Sequence, residues 1–379
     1  MKKPQHEIDK RGILRITQVS ASLDNKLGGP VQVVKNVGQH LSKCCEHKLI
    51  VFGTNNLSIK SNFNVPTIGQ NRYGLFFKRL NTLIRTQIRT SDVLLVHGFY
   101  LYSTLVTIAL AKASRIFVMP HGSLEPYQKN VGRFRKVVFD IFFRTLAFSR
   151  NVSFIVGSSD EVIGVRHKFK KNPIHVLGLG VDEVPEENLR QNGLQESVRL
   201  LSLSRITEKK RVDLCIEAVK ALREKGVDAR LTIAGVGNNQ LFQELRDLVR
   251  TYNLNSVVEF IGFVDGQDKN LVYINSDIFL LPSENENFAV AVAESIARQV
   301  PVVVSNRVAM HRFVESHRTG VVIEKLEVNS LAKAINEVIS NHHIYWQGCR
   351  NSRHLLLWEN VFEEWKRILL TTKEEEESC

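Results

Sequence analysis

At 379 residues the chain exceeds what one hydrophobic core ordinarily supports, so two domains are expected, and its 43% hydrophobic and 24% charged residues are ordinary globular composition. No run approaches the roughly 18–20 apolar residues of a membrane span, and Met1-Lys2-Lys3-Pro4 leads into polar and acidic residues instead of a signal-peptide core, so a soluble, cytoplasmic chain is expected. The net charge of +12 is uneven: residues 1–190 hold 28 Lys and Arg against 13 Asp and Glu, a net +15, while residues 191–379 hold 23 against 26, a net −3.

Short β-rich runs alternate with helical patterns throughout, the mark of parallel sheets with crossover helices. The first half reads as strands at Ile13–Val19, Lys48–Phe52, Val93–His97, Arg115–Met119, Phe154–Val156 and Ile174–Leu177. The second reads as strands at Arg199–Leu203, Leu231–Ala234, Val258–Ile261, Ile278–Leu281, Pro301–Val304 and Val321–Ile323. Helical periodicity runs through Val31–Leu41, Val212–Glu224, Asn239–Tyr252, Ala289–Ala297, Leu331–Ser340 and Trp358–Leu370. The acidic, Pro- and Gly-bearing stretch Val181–Ser197 reads as a linker, with the domain boundary near residue 190. The five cysteines Cys44, Cys45, Cys215, Cys349 and Cys379 lack the spacing of a zinc site and are expected to be reduced thiols.

Two stretches of the basic first half stand out, Arg72–Arg89 and Arg133–Arg150, each mixing Arg or Lys with Phe at helical spacing. They read either as core helices with a solvated basic edge or as a surface for anionic lipid head groups or an anionic acceptor. No nucleic-acid-binding signature appears, and no nucleic-acid partner is expected.

In open α/β sheets ligands bind beyond the carboxyl ends of the strands, so the loops there carry the candidates. Gly28-Gly29-Pro30, between the first strand and the first helix, is either a structural turn or a close backbone approach to a ligand. His121, in Met119-Pro120-His121-Gly122, follows a strand and is either structural or within reach of a substrate; His97 stands at another strand end. Arg205 and Lys210, five residues apart on a strand–helix connection, form a solvated turn or converge on one pyrophosphate. Glu286 and Glu294 flank a strand-to-helix turn; eight helical steps span about 12 Å, so they grip separate parts of a ligand or merely offset the helix dipole. Phe288, Ala289 and Val290 form the first turn of that helix, where N–H groups suit phosphate or sugar hydroxyls.

As an ensemble these elements resemble glycosyltransferase family 4, the group 1 glycosyltransferases, over nearly the whole chain. The resemblance rests on Gly28-Gly29, His121, the Arg205/Lys210 pair and the Glu-x7-Glu motif at Glu286 and Glu294, with Gly180-Val181-Asp182, Ile233-Ala234-Gly235-Val236-Gly237 and Leu281-Pro282-Ser283 beside them. It implies the GT-B fold, an α/β fold of two Rossmann-like doubly wound parallel-sheet domains facing across a cleft. An acceptor domain over residues 1–190 would carry the closing helix 357–372 packed back on it, and residues 191–356 would bind the donor. It implies a nucleotide-diphosphate sugar as co-substrate, with Glu294 on the ribose, Arg205 and Lys210 on the diphosphate, Glu286 and the amides of Phe288–Val290 on the donor sugar, and His121 reaching that sugar. The implied activity is retaining, metal-independent transfer of a hexose-type sugar to a glycan or lipid-linked acceptor in surface polysaccharide biosynthesis, in the cytoplasm or on the cytoplasmic face of the inner membrane. No cofactor is expected, and the chain holds no Asp-x-Asp metal motif.

Four departures stand out: Arg211, Ala289 and Gln299 occupy positions where this family usually has glycine, and Ser305–Phe313 lacks the family's Gly-Gly pair and following Glu. The alternatives are a non-catalytic nucleotide-sugar-binding relative or a GT-B nucleotide-sugar epimerase. A dehydrogenase fits less well than these, because no Gly-x-Gly-x-x-Gly follows either opening strand.

Overall fold

The computed structural model describes residues 14–23, 29–52, 67–70, 82–113, 115–124, 133–148, 150–194 and 196–370. It divides into two compact units, Met1–Leu177 with Phe362–Cys379, and Gly178–Val361.

Unit 1 runs β1 (Arg15–Ser20), α1 (Gly29–Leu41), β2 (Glu46–Phe52), β3 (Thr67–Gln70), α2 (Thr82–Thr90), β4 (Val93–His97), α3 (Tyr102–Leu110), β5 (Arg115–Met119), α4 (Arg133–Phe148), β6 (Val152–Val156), α5 (Ser159–Lys168) and β7 (Ile174–Val176). The strands pair in parallel in the order β3-β2-β1-β4-β5-β6-β7. Every residue of β4 and β5 is buried, the continuous apolar run of a strand covered on both faces. Phe99, Phe139, Phe143, Phe154 and Phe169 pack against one another in edge-on, tilted and stacked pairs. The Arg115 guanidinium donates to the carbonyls of Ile368 and Leu369 at the end of the chain's last helix.

Unit 2 runs β8 (Val198–Leu203), α6 (Val212–Glu224), β9 (Ala229–Ala234), α7 (Asn239–Thr251), β10 (Val258–Gly262), α8 (Gly266–Ile274), β11 (Ile278–Leu281), α9 (Val290–Ala297), β12 (Val302–Ser305), α10 (His311–Ser316), β13 (Gly320–Ile323), α11 (Val328–Ser340) and α12 (His342–Ser352); α13 (Trp358–Leu370) begins in it. Its strands are parallel in the order β10-β9-β8-β11-β12-β13. Both doubly wound sheets expected from the strand–helix alternation are therefore present. The division differs from the one composition suggested. Val181 and Val184 are buried in the core of unit 2, Arg190 ion-pairs with the fully buried Asp277 at 2.5 Å, and the acidic stretch is a coat on this unit because its apolar and basic residues are anchored there.

Four helices of unit 2 end alike. After α6, α7, α9 and α10 the residues Gly226, Asn253, Gln299 and Arg318 have positive φ, and the following N–H reaches back to a carbonyl of the last turn: Val227 to Leu222, Leu254 to Val249, Val300 to Ser295, Thr319 to Val314. This is the Schellman closure, which favours glycine at the left-handed position.

Candidate functional site

Each sheet reverses its winding between its first and fourth strands, β1 and β4 in unit 1 and β8 and β11 in unit 2. At such a point neighbouring loops diverge and leave a crevice at the carboxyl ends of the strands.

In unit 2 the loops after β8 and β11 carry the predicted residues. Ser204 and Ile206 donate backbone hydrogen bonds to Ala234 and Val236, and a Cβ on Gly235 or Gly237 would collide with the carbonyls of Ser204 or Ile206. Only glycine permits this backbone-to-backbone seam, which presents Arg205 to solvent. The next turn, Glu208–Lys210, directs the Lys210 side chain inward, where it is buried and its Nζ contacts Glu286 Oε1. Burial, then the nearby Lys209 and Arg205, pull the Lys210 ammonium well below its ordinary pKa; the Glu286 carboxylate at its Nζ works against that fall.

The turn is tied to the β11 loop. The Lys209 carbonyl accepts from Ser283 Oγ (3.0 Å) and Glu284 N–H (2.8 Å), while Arg211, left-handed at φ 52°, chelates Asp213 and lies 3.8 Å from Glu284. Glu286 is held by its backbone: its N–H donates to Arg307 O (3.2 Å) and its carbonyl accepts from Ala309 N–H (2.9 Å). The unusual 305–313 stretch therefore grips Glu286 through main-chain atoms alone. Its Ser305, fully buried, donates to Ser283 O at 2.5 Å. Ala289 caps α9 at φ 46°, so the amides of Phe288, Ala289 and Val290 lie at the positive end of that helix. Glu294, one turn further on, does not join the Lys210 pair; it accepts from Lys269 Nζ (2.6 Å) and Tyr273 Oη (3.1 Å) on α8.

In unit 1, His97 ends β4 and His121 follows β5. His97 Nδ1 lies 3.1 Å from His121 Nε2, and Gln18 Nε2, on β1, lies 2.9 Å from His97 Nε2. Burial lowers His121 to about 4 and His97 well below its ordinary value, so both imidazoles are neutral near pH 7. Gly28 lies outside the described residues; Gly29 opens α1 with no atom of the described residues within 4 Å of its Cβ position.

Several residues of these sites escaped sequence reasoning. Lys269 and Tyr273 partner Glu294 from a helix some twenty residues upstream, and Gln18 reads only as a polar residue inside an apolar strand. Glu161 had a signal: Ser158-x-x-Glu161 is a helix-capping pattern. Its fully buried carboxylate accepts the N–H groups of Gly122 and Gly157.

A family model described as glycosyl transferases group 1 matches residues 185–353. An Escherichia coli K12 protein, provisionally named the colanic acid biosynthesis glycosyltransferase WcaL, is 32% identical over 171 residues, 44% of this chain and 42% of that protein. The amylovoran biosynthesis glycosyltransferase AmsK of Erwinia amylovora is 30% identical over 167 residues, 42% of this chain and 40% of that one. The chain thus spans about two-fifths of the length of these curated relatives. Among solved structures, Anabaena Alr3699/HepE in complex with UDP and glucose superposes over 95% of this chain and 100% of that one, with a TM-score of 0.76 at 13% identity, a likeness of fold. Residues 185–353, which include Arg205, Lys210, Glu286 and Glu294, are thus the part of the chain that is similar to the group 1 glycosyl transferases.

Proposed function

We propose that the protein transfers a hexose-type sugar from a nucleotide-diphosphate sugar to a glycan or lipid-linked acceptor in surface polysaccharide biosynthesis. The observation that carries this reading is the buried Lys210 at Glu286, beside the exposed Arg205, at the switch point of unit 2. Two cations of the protein offset the charge that develops on a departing nucleoside diphosphate, Arg205 as a fork and Lys210 as a point charge. Lys210 is preorganised, since burial and its carboxylate partner fix it before the ligand arrives. Glu286 and the amides of Phe288–Val290 hold the sugar, Glu294 the ribose, and the neutral imidazole of His121 hydrogen-bonds a sugar hydroxyl. In the step itself the bond from C1 to the β-phosphate oxygen breaks, the acceptor oxygen bonds C1 on the same face, and the acceptor proton leaves with the phosphate. The anomeric configuration is retained and no metal ion takes part. The names of the relatives, which act in colanic acid and amylovoran biosynthesis, and the UDP and glucose bound by Alr3699/HepE support the substrate classes.

The reading extends to an anionic membrane surface on the cytoplasmic side. No helix among the described residues is long and apolar enough to cross a membrane. Yet α4 exposes Val137, Val138, Ile141 and Phe142, the last two near 60%, on a helix that also carries Arg135, Lys136 and Arg144. Exposed apolar side chains with a basic border suit a lipid interface.

A thermal-shift screen with UDP, GDP, ADP, CMP and their common sugar conjugates, with and without EDTA, tests the donor side. A ligand at a hundred times its dissociation constant adds about 2.7 kcal/mol. One EDTA-insensitive shift is expected, followed by transfer or donor hydrolysis with that nucleotide sugar; no shift with any of them would overturn the proposal.

A further inference from the structure

We propose that Gln18, His97 and Glu161 are positioning residues for His121: Glu161 fixes the backbone turn that carries it, and Gln18, acting through His97, places its proton on Nδ1. This rests on the reading of His121 as a group that meets the donor sugar; the position of the proton does not.

His121 and Gly122 are consecutive left-handed residues, at φ 53° and 80°. That conformation disfavours a residue with a Cβ, so the turn needs an anchor. Glu161 provides it from the first turn of α5, one carboxylate oxygen taking the Gly122 N–H and the other the Gly157 N–H. Its own place is set by Ser158 Oγ, which accepts the Glu161 N–H at 3.1 Å. The carboxylate therefore joins the loop after β5 to the loop after β6, at the carboxyl edge of the sheet.

The proton follows from a chain of single choices. An amide nitrogen has only protons to offer, so Gln18 Nε2 donates and His97 Nε2 accepts. A neutral imidazole carries one proton, and that of His97 must then sit on Nδ1, facing His121 Nε2 at 3.1 Å. His121 Nε2 accepts in turn, which leaves the His121 proton on Nδ1. The two rings stack 14° from parallel with centroids 5.3 Å apart, so neither turns without breaking the chain. His121 thus keeps its proton on Nδ1, an atom buried from solvent, as a donor for a sugar oxygen that enters the turn and displaces what covers it. Gln18 Oε1 has no hydrogen-bond partner among the described residues, which confines the amide's contribution to donation.

The test is 15N NMR of protein labelled at histidine, at pH 7.5, where protonated and bare ring nitrogens differ in shift; His121→Asn and His97→Asn identify the signals. His97 and His121 are both expected to be protonated at Nδ1, and Gln18→Leu to turn either into a mixture of tautomers. A proton on Nε2 of His121 in the unsubstituted protein, as an amide turned the other way would give, overturns the proposal, as does a spectrum that Gln18→Leu leaves unchanged. For Glu161, the conservative Glu161→Gln keeps the shape but loses one of the two acceptors. It is expected to lower kcat about tenfold while leaving the nucleotide-induced thermal shift unaltered. Unchanged kcat, or loss of the nucleotide shift, removes Glu161 from the set. The NMR readout needs no turnover, so failure of the transferase reading and failure of the tautomer assignment are separately visible.

Discussion

Lys210 and Glu294 are the residues at which the proposed chemistry is most exposed to test. Lys210→Ala takes away a buried cation and leaves a partly solvated Glu286, so stability should change little. Transfer should fall about 10²–10³-fold, the loss seen when one preorganised electrostatic donor is removed. Glu294→Ala should abolish the nucleotide shift, because it removes the carboxylate that accepts from the ribose hydroxyls, and the remaining Lys269 ammonium only donates. Full activity in either variant would sink the assignment. Lys210 and Glu294 stand out in the sequence because Lys210 lies on the connection after β8 and Glu294 on the helix that follows the β11 loop, in patterns the chain displays openly. Gln18 does not: its meaning lies in His97, 79 residues away, and no local spacing announces it. The role of the 305–313 stretch was not legible either, because Arg307 O and Ala309 N–H bracket Glu286 through main-chain atoms, which residue identity does not reveal.

Among the elements, strands buried on both faces were the most readable: β4, β5 and β11 lie where their apolar runs predict. β3 was missed because Thr67-Ile68-Gly69-Gln70 is short, contains glycine and sits at the sheet edge, where pairing and not composition defines the strand. Helix ends carry a stability prediction. Arg318 closes α10 exposed and left-handed at φ 51°, so Arg318→Gly should raise stability by about 0.5–1 kcal/mol. Gly226→Ala should lower it by a similar amount, both read from urea midpoints; a destabilised Arg318→Gly would refute the argument. α4 makes a second prediction. Pelleting with anionic vesicles should weaken with salt, since the attraction is screened within about 10 Å at 0.1 M, and Ile141→Ser with Phe142→Ser should lower it further. Salt-insensitive or absent binding would reduce α4 to a solvated helix.

For the molecule as a whole, the two units differ in their response to acid. Of the four described histidines held below their ordinary range by burial, His47, His97 and His121 belong to unit 1 and His342 to unit 2. For a base whose folded pKa is depressed, the unfolded chain takes the proton first. Stability is then full above about 6.5 and drains as pH falls, through about 4 for His47 and His121. Each such histidine contributes a slope approaching 1.4 kcal/mol per pH unit inside that window. Hydrogen exchange resolved by peptide, corrected for intrinsic rates, should show β4 and β5 losing protection between pH 7 and 5 while β8 and β11 keep theirs. His47→Leu, which removes an imidazole whose nitrogens have no partner among the described residues, should flatten the trend; equal loss in both units would refute it. The seam at Gly235 and Gly237 has a consequence for anyone who ranks residues of this chain by tolerance to substitution. Any side chain there would push Ser204–Ile206 aside and swing Arg205 with it. A saturation scan would score the two glycines as severely as Lys210, though they hold no reactive group, and the map's deepest troughs would trace the mould as well as the tool.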